Sequence, residues 1–415
     1  MSKESAKKLS TESYKGVRDF YPEDMFIENY IFNTWRKIAE SFGYEEYNAS
    51  ILEPTELYRG KTSDEIVNEQ TYTFRDRGDR EVTLRPEMTP TVARMVAGKM
   101  RDLAFPLRWY SIPNVFRYEQ PQRGRLREHW QLNADIFGSS SVDADIEIIT
   151  LAYHIMKAFG AKDEDFVIKI NNRKIFDDLA KKHGLTPEKK TALLRIVDKK
   201  DKMPAKEFQQ KLDDLIEWSF DLNIPESSDI TEIRLRLAEL GIKNTIFDIG
   251  IARGFDYYTG TVFEVFDTEP KNKRSLFGGG RYDNLTENFG GDRVPAVGFG
   301  VGDVTIRDFL ETHDLLPEYS SPAHLYIGKA GEVGNKKIQE LAWKLRESGI
   351  HVAVDISDKK VGDQVKLAVK QRVLFVIIVG EEELARGTYK IKKLKDSTET
   401  ELEENKLAEY ILKNL

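Results

Sequence analysis

The stretch LRWYSIPNVFRYEQPQRGRLREHWQLNADIF, residues 107–137, decides how the chain is read. Two extended runs, LRWYSIPNVFRYE and HWQLNADIF, flank the polar, glycine-containing segment PQRGRLR, and the pattern predicts a β-hairpin. Side chains alternate along a strand. Arg117 and Glu119 therefore share one face of the first run, and Gln131, Asn133 and Asp135 share one face of the second. A face of arginine, acids and amides is a poor core and a good floor for a polar ligand. Arg123, Arg125 and Arg127 lie at the tip or just past it. A guanidinium suits phosphate because it donates two parallel, charge-assisted bonds and stays ionised. A solvated hairpin face would have the same composition, so other segments must separate the two readings.

On the N-terminal side, residues 24–43 place Phe26, Ile27, Tyr30, Ile31, Thr34, Trp35, Ile38 and Phe42 at helical spacing, with Gly43 as a stop signal. A strand-like stretch follows to Pro54. On the C-terminal side a helix is expected near 143–160, from the acidic first turn of Asp143, Asp145 and Glu147 to Gly160. From about 173 to 243 the chain is rich in Lys, Asp, Glu and Leu with helical periodicity. Strand character returns at 245–267 and around the glycine-rich 275–303. The run LLPEYSSPA, 315–323, reads as a linker. Beyond it, strands His324–Ile327, Val352–Val354 and Val373–Val379 alternate with helical stretches, the pattern of a small α/β domain with parallel pairing. The expected class is α+β: a first core at 1–165 and 245–318, a helical insertion at 166–244, and a separate α/β domain at 324–415.

Composition bounds the function. The 415 residues carry 63 Lys+Arg against 70 Asp+Glu, a formal charge of −7, and 40% are hydrophobic, too apolar for a disordered chain. The longest apolar run, Val373–Val379, is far short of the roughly 20 residues that span a bilayer. The first fifteen residues are polar and lack the apolar core of a secretory signal. No cysteine is present, which excludes disulfides, thiolate nucleophiles and cysteine–zinc sites. A cytoplasmic, multidomain protein is expected, and any nucleic-acid binding would have to be local. Residues 359–395, with ten basic side chains against four acids, are the expected place for it.

Three other stretches bear on chemistry. In LRPEMTPTVAR (84–94), Glu87 and Thr89 follow a proline that restricts the backbone. In ARGFDYYTGTVFE (252–264), Arg253, Asp256, Tyr257 and Tyr258 crowd between glycines, although the tyrosines alone would suit a core. The glycines of FGGGRYDNL (277–285) would permit close approach of an adenosine. The six histidines show no metal-ligand spacing, His129 in the hairpin being the one to watch, and no hydrolase signature occurs. Electrostatic chemistry on phosphate fits these residues better than covalent or zinc catalysis.

Taken together these segments resemble the class II aminoacyl-tRNA synthetases, and specifically the histidyl-tRNA synthetases, over nearly the whole chain. KGVRDFYPED (15–24) is similar to the family's N-terminal signature. The helix from residue 24 with the strand to Pro54 resembles the dimer-forming motif 1, and FRYEQPQRGRLREHWQLNADIFG (116–138) resembles motif 2. LRPEMT resembles the amino-acid-binding stretch, and ARGFDYYTG and SLFGGGRYD resemble the two peptides peculiar to histidyl enzymes. The resemblance implies an antiparallel-sheet catalytic domain with a helical insertion and a C-terminal anticodon-binding α/β domain. It implies activation of L-histidine with ATP and Mg2+, transfer to tRNA(His), and a homodimer. By the same resemblance Arg117 and Arg253 would hold the ATP α-phosphate, Glu119 would face the adenine side, and Arg125 would lie near the triphosphate. Glu87, Thr89 and Gln131 would bind the α-amino group of histidine. Asp135 and Tyr258, with Tyr257 beside them, would form the imidazole pocket. No protein-bound metal is implied.

The chain departs from the family at motif 3. VPAVGFGVGDVTIRDFL (294–310) puts Thr305 where an arginine is normal, with Asp303 two residues before it and Arg307 two residues after. Such a departure would also suit a catalytically inactive paralogue that regulates an ATP phosphoribosyltransferase. That reading stands as the alternative.

Overall fold

The computed structural model describes residues 9–59, 70–200, 203–222, 224–251, 257–272, 274–331, 335–357 and 359–415. The chain divides into two compact units, Met1–Leu316 and Pro317–Leu415.

In chain order the strands of the first unit begin with β1 (Glu45–Glu46), β2 (Leu52–Pro54), β3 (Tyr72–Arg75), β4 (Glu81–Leu84), β5 (Leu107–Ser111) and β6 (Asn114–Phe116). They continue with β7 (Glu128–Phe137), β8 (Phe166–Asn172), β9 (Thr245–Phe247), β10 (Thr261–Asp267), β11 (Ser275–Arg281) and β12 (Ala296–Gly302). One large sheet runs β1-β5-β7-β12-β11-β10-β8-β9, with β6 also paired to β7. Only its outermost pairs, β1–β5 and β8–β9, are parallel. The expected hairpin is present: β5 and β6 both run antiparallel to β7, with Tyr110 opposite Ala134 and Val115 opposite His129. Arg117 and Glu119 lie beyond the end of β6, although the Arg117 N–H still reaches the Arg127 carbonyl at 2.9 Å.

One face of this sheet is buried by helices. Pro22–Ser41 begins with a proline and two acids, which suit the first turn, and buries Ile27, Ile31, Trp35 and Ala39 at four-residue spacing. Val142–Ala158 is capped by Ser141, which accepts from the Asp143 N–H. These helices, with Ser228–Glu239 and Asp303–Thr312, share one apolar core with Leu132, Ala134 and Ile136 of β7. The other face of β7 is left to Gln131, Asn133 and Asp135.

The segment expected as one helical insertion, 166–244, divides three ways. β8 pairs with β10 inside the large sheet, because FVIKINN alternates at the period of a strand. Helices Lys174–His183, Pro187–Asp198 and Ala205–Leu215 form a bundle with its own small core of Phe176, Leu193, Val197, Phe208 and Leu212. Helix Ser228–Glu239 instead buries Ile230, Ile233 and Leu237 in the core of the large sheet. Periodicity identifies an apolar stripe but not the surface it meets.

The second unit holds β13 (Leu325–Lys329), β14 (Val352–Val354), β15 (Phe375–Val379), β16 (Thr388–Lys393) and β17 (Glu399–Glu403), in the order β14-β13-β15-β16-β17. The first three are parallel and the last two antiparallel. Folding brings one acid from outside 359–395 to the basic run: Glu399 of β17 faces Lys390 and Lys392 of β16. Lys366 with Asp363 and Arg386 with Glu382 pair within the run, so its excess stays largely in place. Among the described residues no helix is long and apolar enough to cross a membrane.

Arg281, in the SLFGGGRYD peptide, is structural. Its guanidinium is buried against the Asp145 carboxylate and donates to the backbone carbonyls of Ser139 and Ser141 at 2.8 and 3.0 Å. This ties β11 to the start of helix Val142–Ala158. Removing one partner of a buried pair leaves the other charged and unsolvated, at a cost of about 3–5 kcal/mol. Arg281→Ala is expected to lower the unfolding free energy in urea by that amount; a loss within 1 kcal/mol would contradict a buried role.

Candidate active site

The floor of the site is the outward face of β7 and β12. Gln131, Asn133 and Asp135 project from β7, and Gly298 pairs with Asp135 and Gly300 with Asn133. These two glycines leave room that no other residue would. A Cβ at Gly298 would lie 2.0 Å from Asp135 Oδ1, and one at Gly300 would lie 1.7 Å from Gln131 Nε2. The glycines expected to permit close approach of an adenosine are strand residues of β11: a Cβ at Gly279 or Gly280 would meet neighbouring backbone, and Gly278 lines the pocket.

Glu87, Thr89, Arg117, Tyr257, Tyr258, Tyr282 and Gly278 complete the walls of the same pocket. Thr89 opens helix Thr89–Lys99, and buried Glu87 just before it accepts from the Tyr257 hydroxyl at 3.1 Å. Arg117 Nε donates to the Pro86 carbonyl at 2.9 Å, which fixes the guanidinium beside the segment carrying Glu87. The residues Glu87, Thr89, Gln131, Asp135, Tyr257, Tyr258 and Arg117, scattered over the sequence, are thus brought to one cleft. Glu119 and Arg125 do not line it; they pair with each other at 3.2 Å, both on the segment between β6 and β7. Arg253 lies outside the described residues.

Motif 3 forms β12 and the start of helix Asp303–Thr312. Thr305 is turned to its own backbone, donating to the Gly302 carbonyl at 3.0 Å. Arg307 pairs with Asp24 at 3.2 Å and Glu311 at 3.1 Å, and is not among the walls of the pocket. Asp303 is fully buried, ion-paired with Arg18, and accepts the Trp130 N–H at 2.9 Å, so it fixes the start of β7. Glu28 lies beside it, and its carboxyl is pushed up to about 8 by burial and by the neighbouring Asp303.

Sequence reasoning missed Tyr282. Its hydroxyl donates to Asp135 in the buried floor, and the only signal was its place in the SLFGGGRYD peptide. Burial pushes the Asp135 carboxyl up to about 7 even against this hydrogen bond. His129 sits further along the same face of β7, its Nδ1 without a partner among the described residues. Burial, then Arg117 and Arg18, push its pKa down to about 3, so the imidazole is neutral. The ligand-free floor therefore carries a carboxyl that prefers its proton up to neutral pH. The unfolded chain releases that proton near 4, so Asp135 costs stability progressively as pH rises from about 4 to 7 and fully above 7. Each pH unit in that window is worth about 1.4 kcal/mol, about 4 kcal/mol at most. Asp135→Asn is expected to gain stability over the parent as pH rises through this window, with no difference below pH 4. Parallel stability–pH curves for the two proteins would exclude a buried carboxyl at this position.

The sequence matches the family model of histidyl-tRNA synthetase over residues 16–218 and 225–304, and that of the anticodon binding domain over 326–414. The histidine–tRNA ligase of Leptospira biflexa is 43% identical over 408 residues, covering 93% of each chain. That of Thermoplasma volcanium is 38% identical, covering 93% of this chain and 95% of its own. Among solved structures, the histidyl-tRNA synthetase of Nostoc sp. PCC 7120 superposes with a TM-score of 0.84, at 23% identity, over 98% of this chain and all of that one. The pocket that gathers Glu87, Gln131, Asp135 and Tyr258 is thus found in a chain similar from end to end to these ligases, and the chain belongs to the histidyl-tRNA synthetase family.

Proposed function

We propose that the protein activates L-histidine with ATP and transfers the histidyl group to tRNA(His). The observation that carries this reading is the single pocket in which acid, amide and tyrosine side chains stand beside the fixed guanidinium of Arg117. Glu87, Thr89 and Gln131 bind the α-amino group: an ionised carboxylate and an amide oxygen accept from the ammonium. Asp135 and Tyr258 take the two ring nitrogens of the imidazole, and Tyr282 orients Asp135 through its hydroxyl. A ligand lacking those nitrogens would leave buried polar groups unpaired, which is how such pockets discriminate by up to about 10⁴–10⁵.

The histidine carboxylate attacks the ATP α-phosphorus. A new oxygen–phosphorus bond forms and the bond to pyrophosphate breaks. Charge grows on the α-phosphate oxygens, and Arg117 with Arg253 stabilises it without covalent participation. Glu119 and Arg125 serve the adenine and triphosphate ends of ATP. Magnesium enters on the phosphates of ATP and leaves with pyrophosphate, as a counter-ion of the substrate. A tRNA hydroxyl then displaces AMP from the histidyl carbonyl. The protein works in the cytoplasm, with the 324–415 domain on the tRNA.

Histidine-dependent exchange of pyrophosphate into ATP tests the reading, since a regulatory paralogue acting on an ATP phosphoribosyltransferase would show none. Arg117→Ala and Arg253→Ala should each lower exchange turnover by about 10²–10³ with a smaller change in histidine KM. Lysine at either position should fail to restore it, because a point charge cannot reproduce the planar fork. Wild-type exchange in either variant would refute the assigned roles.

A homodimer is proposed too, but the apolar stripe of helix Pro22–Ser41 does not motivate it, because that stripe is spent on the chain's own core. The small sheet β2-β4-β3 does. Its polar face is inward: Glu53 and Thr83 are buried, with Thr83 bonded to Thr55 and Thr73. Its other face aligns Leu52, Leu84 and Tyr72 in one row and Pro54, Val82 and Phe74 in the next, with Leu52 and Phe74 exposed. An apolar face turned outward over a polar one is the reverse of a solvated sheet and fits an interface. Phe74→Glu is expected to shift the mass in light scattering from dimer to monomer; an unchanged dimer would place the interface elsewhere.

A further inference from the structure

Helix Asn335–Glu347 of the second unit buries Ile338, Leu341, Ala342 and Leu345 against its sheet, yet carries an indole on the outside. Trp343 is 62% exposed. It stands in an open cleft with Lys336, Gln339, Glu340, Lys344 and Arg346. The Trp343 Nε1–H donates to Glu347 at 2.8 Å, one helical turn on, so the edge of the ring is tethered along the helix. Arg346 is fixed by donation to the Val352 carbonyl at 2.8 Å, and Lys344 by its pairing with Glu404. The helix carries four cations, Lys336, Lys337, Lys344 and Arg346, against the two acids Glu340 and Glu347, in a chain that is −7 overall.

We propose that Trp343 is a stacking platform for an unpaired nucleotide of the tRNA anticodon arm, with the cations around it taking the adjoining phosphates. The inference rests on the reading that this chain charges tRNA. Every base offers a π-face to an exposed, tethered aromatic ring, and phosphates are attracted to lysine and arginine beside it. The stems of the surrounding side chains make the lining of the cleft mostly apolar, as a stacked base requires, while their charged ends suit its phosphates.

The test uses the full-length protein with Trp343→Ala and Trp343→Phe. Histidine-dependent pyrophosphate exchange should be unchanged in both, which separates this inference from the reading beneath it. Loss of a stacked base corresponds to about five- to hundredfold weaker binding. The alanine variant should therefore show tRNA(His) KM raised by about that factor, and the phenylalanine variant should keep most of the affinity. An isolated anticodon stem-loop should quench the tryptophan fluorescence of the parent and not that of the phenylalanine variant. Unchanged tRNA KM in Trp343→Ala would overturn the proposal. So would a change of oligomeric mass in that variant, which would assign the indole to a protein contact.

Discussion

The two-residue period of β7 is the constraint on which the rest depends. A single strand at the middle of the sheet must give Leu132, Ala134 and Ile136 to the helices below and Gln131, Asn133 and Asp135 to the pocket above. A slip of one residue would exchange core for site completely. The strand is held against that slip from both sides, by β5 and β6 on one edge and β12 on the other. Asp303 adds a further anchor at the Trp130 N–H. The glycines of β12 belong to the same constraint, because the polar side chains of β7 occupy the space where side chains of β12 would stand.

Holding an acid in that floor has an energetic consequence. Asp135 is buried among aromatic rings with Tyr282 as its hydrogen-bond donor, and without a ligand it resists ionisation. The stability withheld is recovered when a ligand supplies donors, so affinity and apo-state instability have one source. The same logic accounts for the neutral His129, kept uncharged by two arginines and by burial. At motif 3, where Thr305 stands in place of the expected arginine, the carboxyl of Asp303 two residues earlier is buried. Asp303 and Arg18 make that corner a structural joint between helix Pro22–Ser41, β7 and helix Asp303–Thr312.

Polarity is arranged unusually at two surfaces. The sheet β2-β4-β3 buries Thr83 and Glu53 and presents Leu52 and Phe74, while helix Asn335–Glu347 presents Trp343 among charged side chains. The first is extended and apolar, as protein surfaces require; the second is a single ring with cations, as nucleobases require. The contrast between them is chemical and does not depend on how the two units are arranged.

The sequence by itself determined the hairpin, the parity of β7, the linker near 315–323 and the α/β pattern that follows, because these rest on local periodicity and turn chemistry. It also pointed to Glu87, Gln131 and Asp135, since polar residues on a strand face or in a proline-set loop stand out against an apolar core; Tyr258 alone would suit a core and is singled out only through the family resemblance. Tertiary structure decided what no local pattern encodes. Only pairing across the sheet shows that β8 belongs to it, that Arg281 is an internal strut, and that Tyr282 serves Asp135 from 147 residues away. Only packing shows that helix Pro22–Ser41 spends its apolar stripe within its own chain. And only the placement of β17 beside β16 shows that the basic run is partly neutralised, because charge along a chain is summed by distance in space and not by distance in sequence.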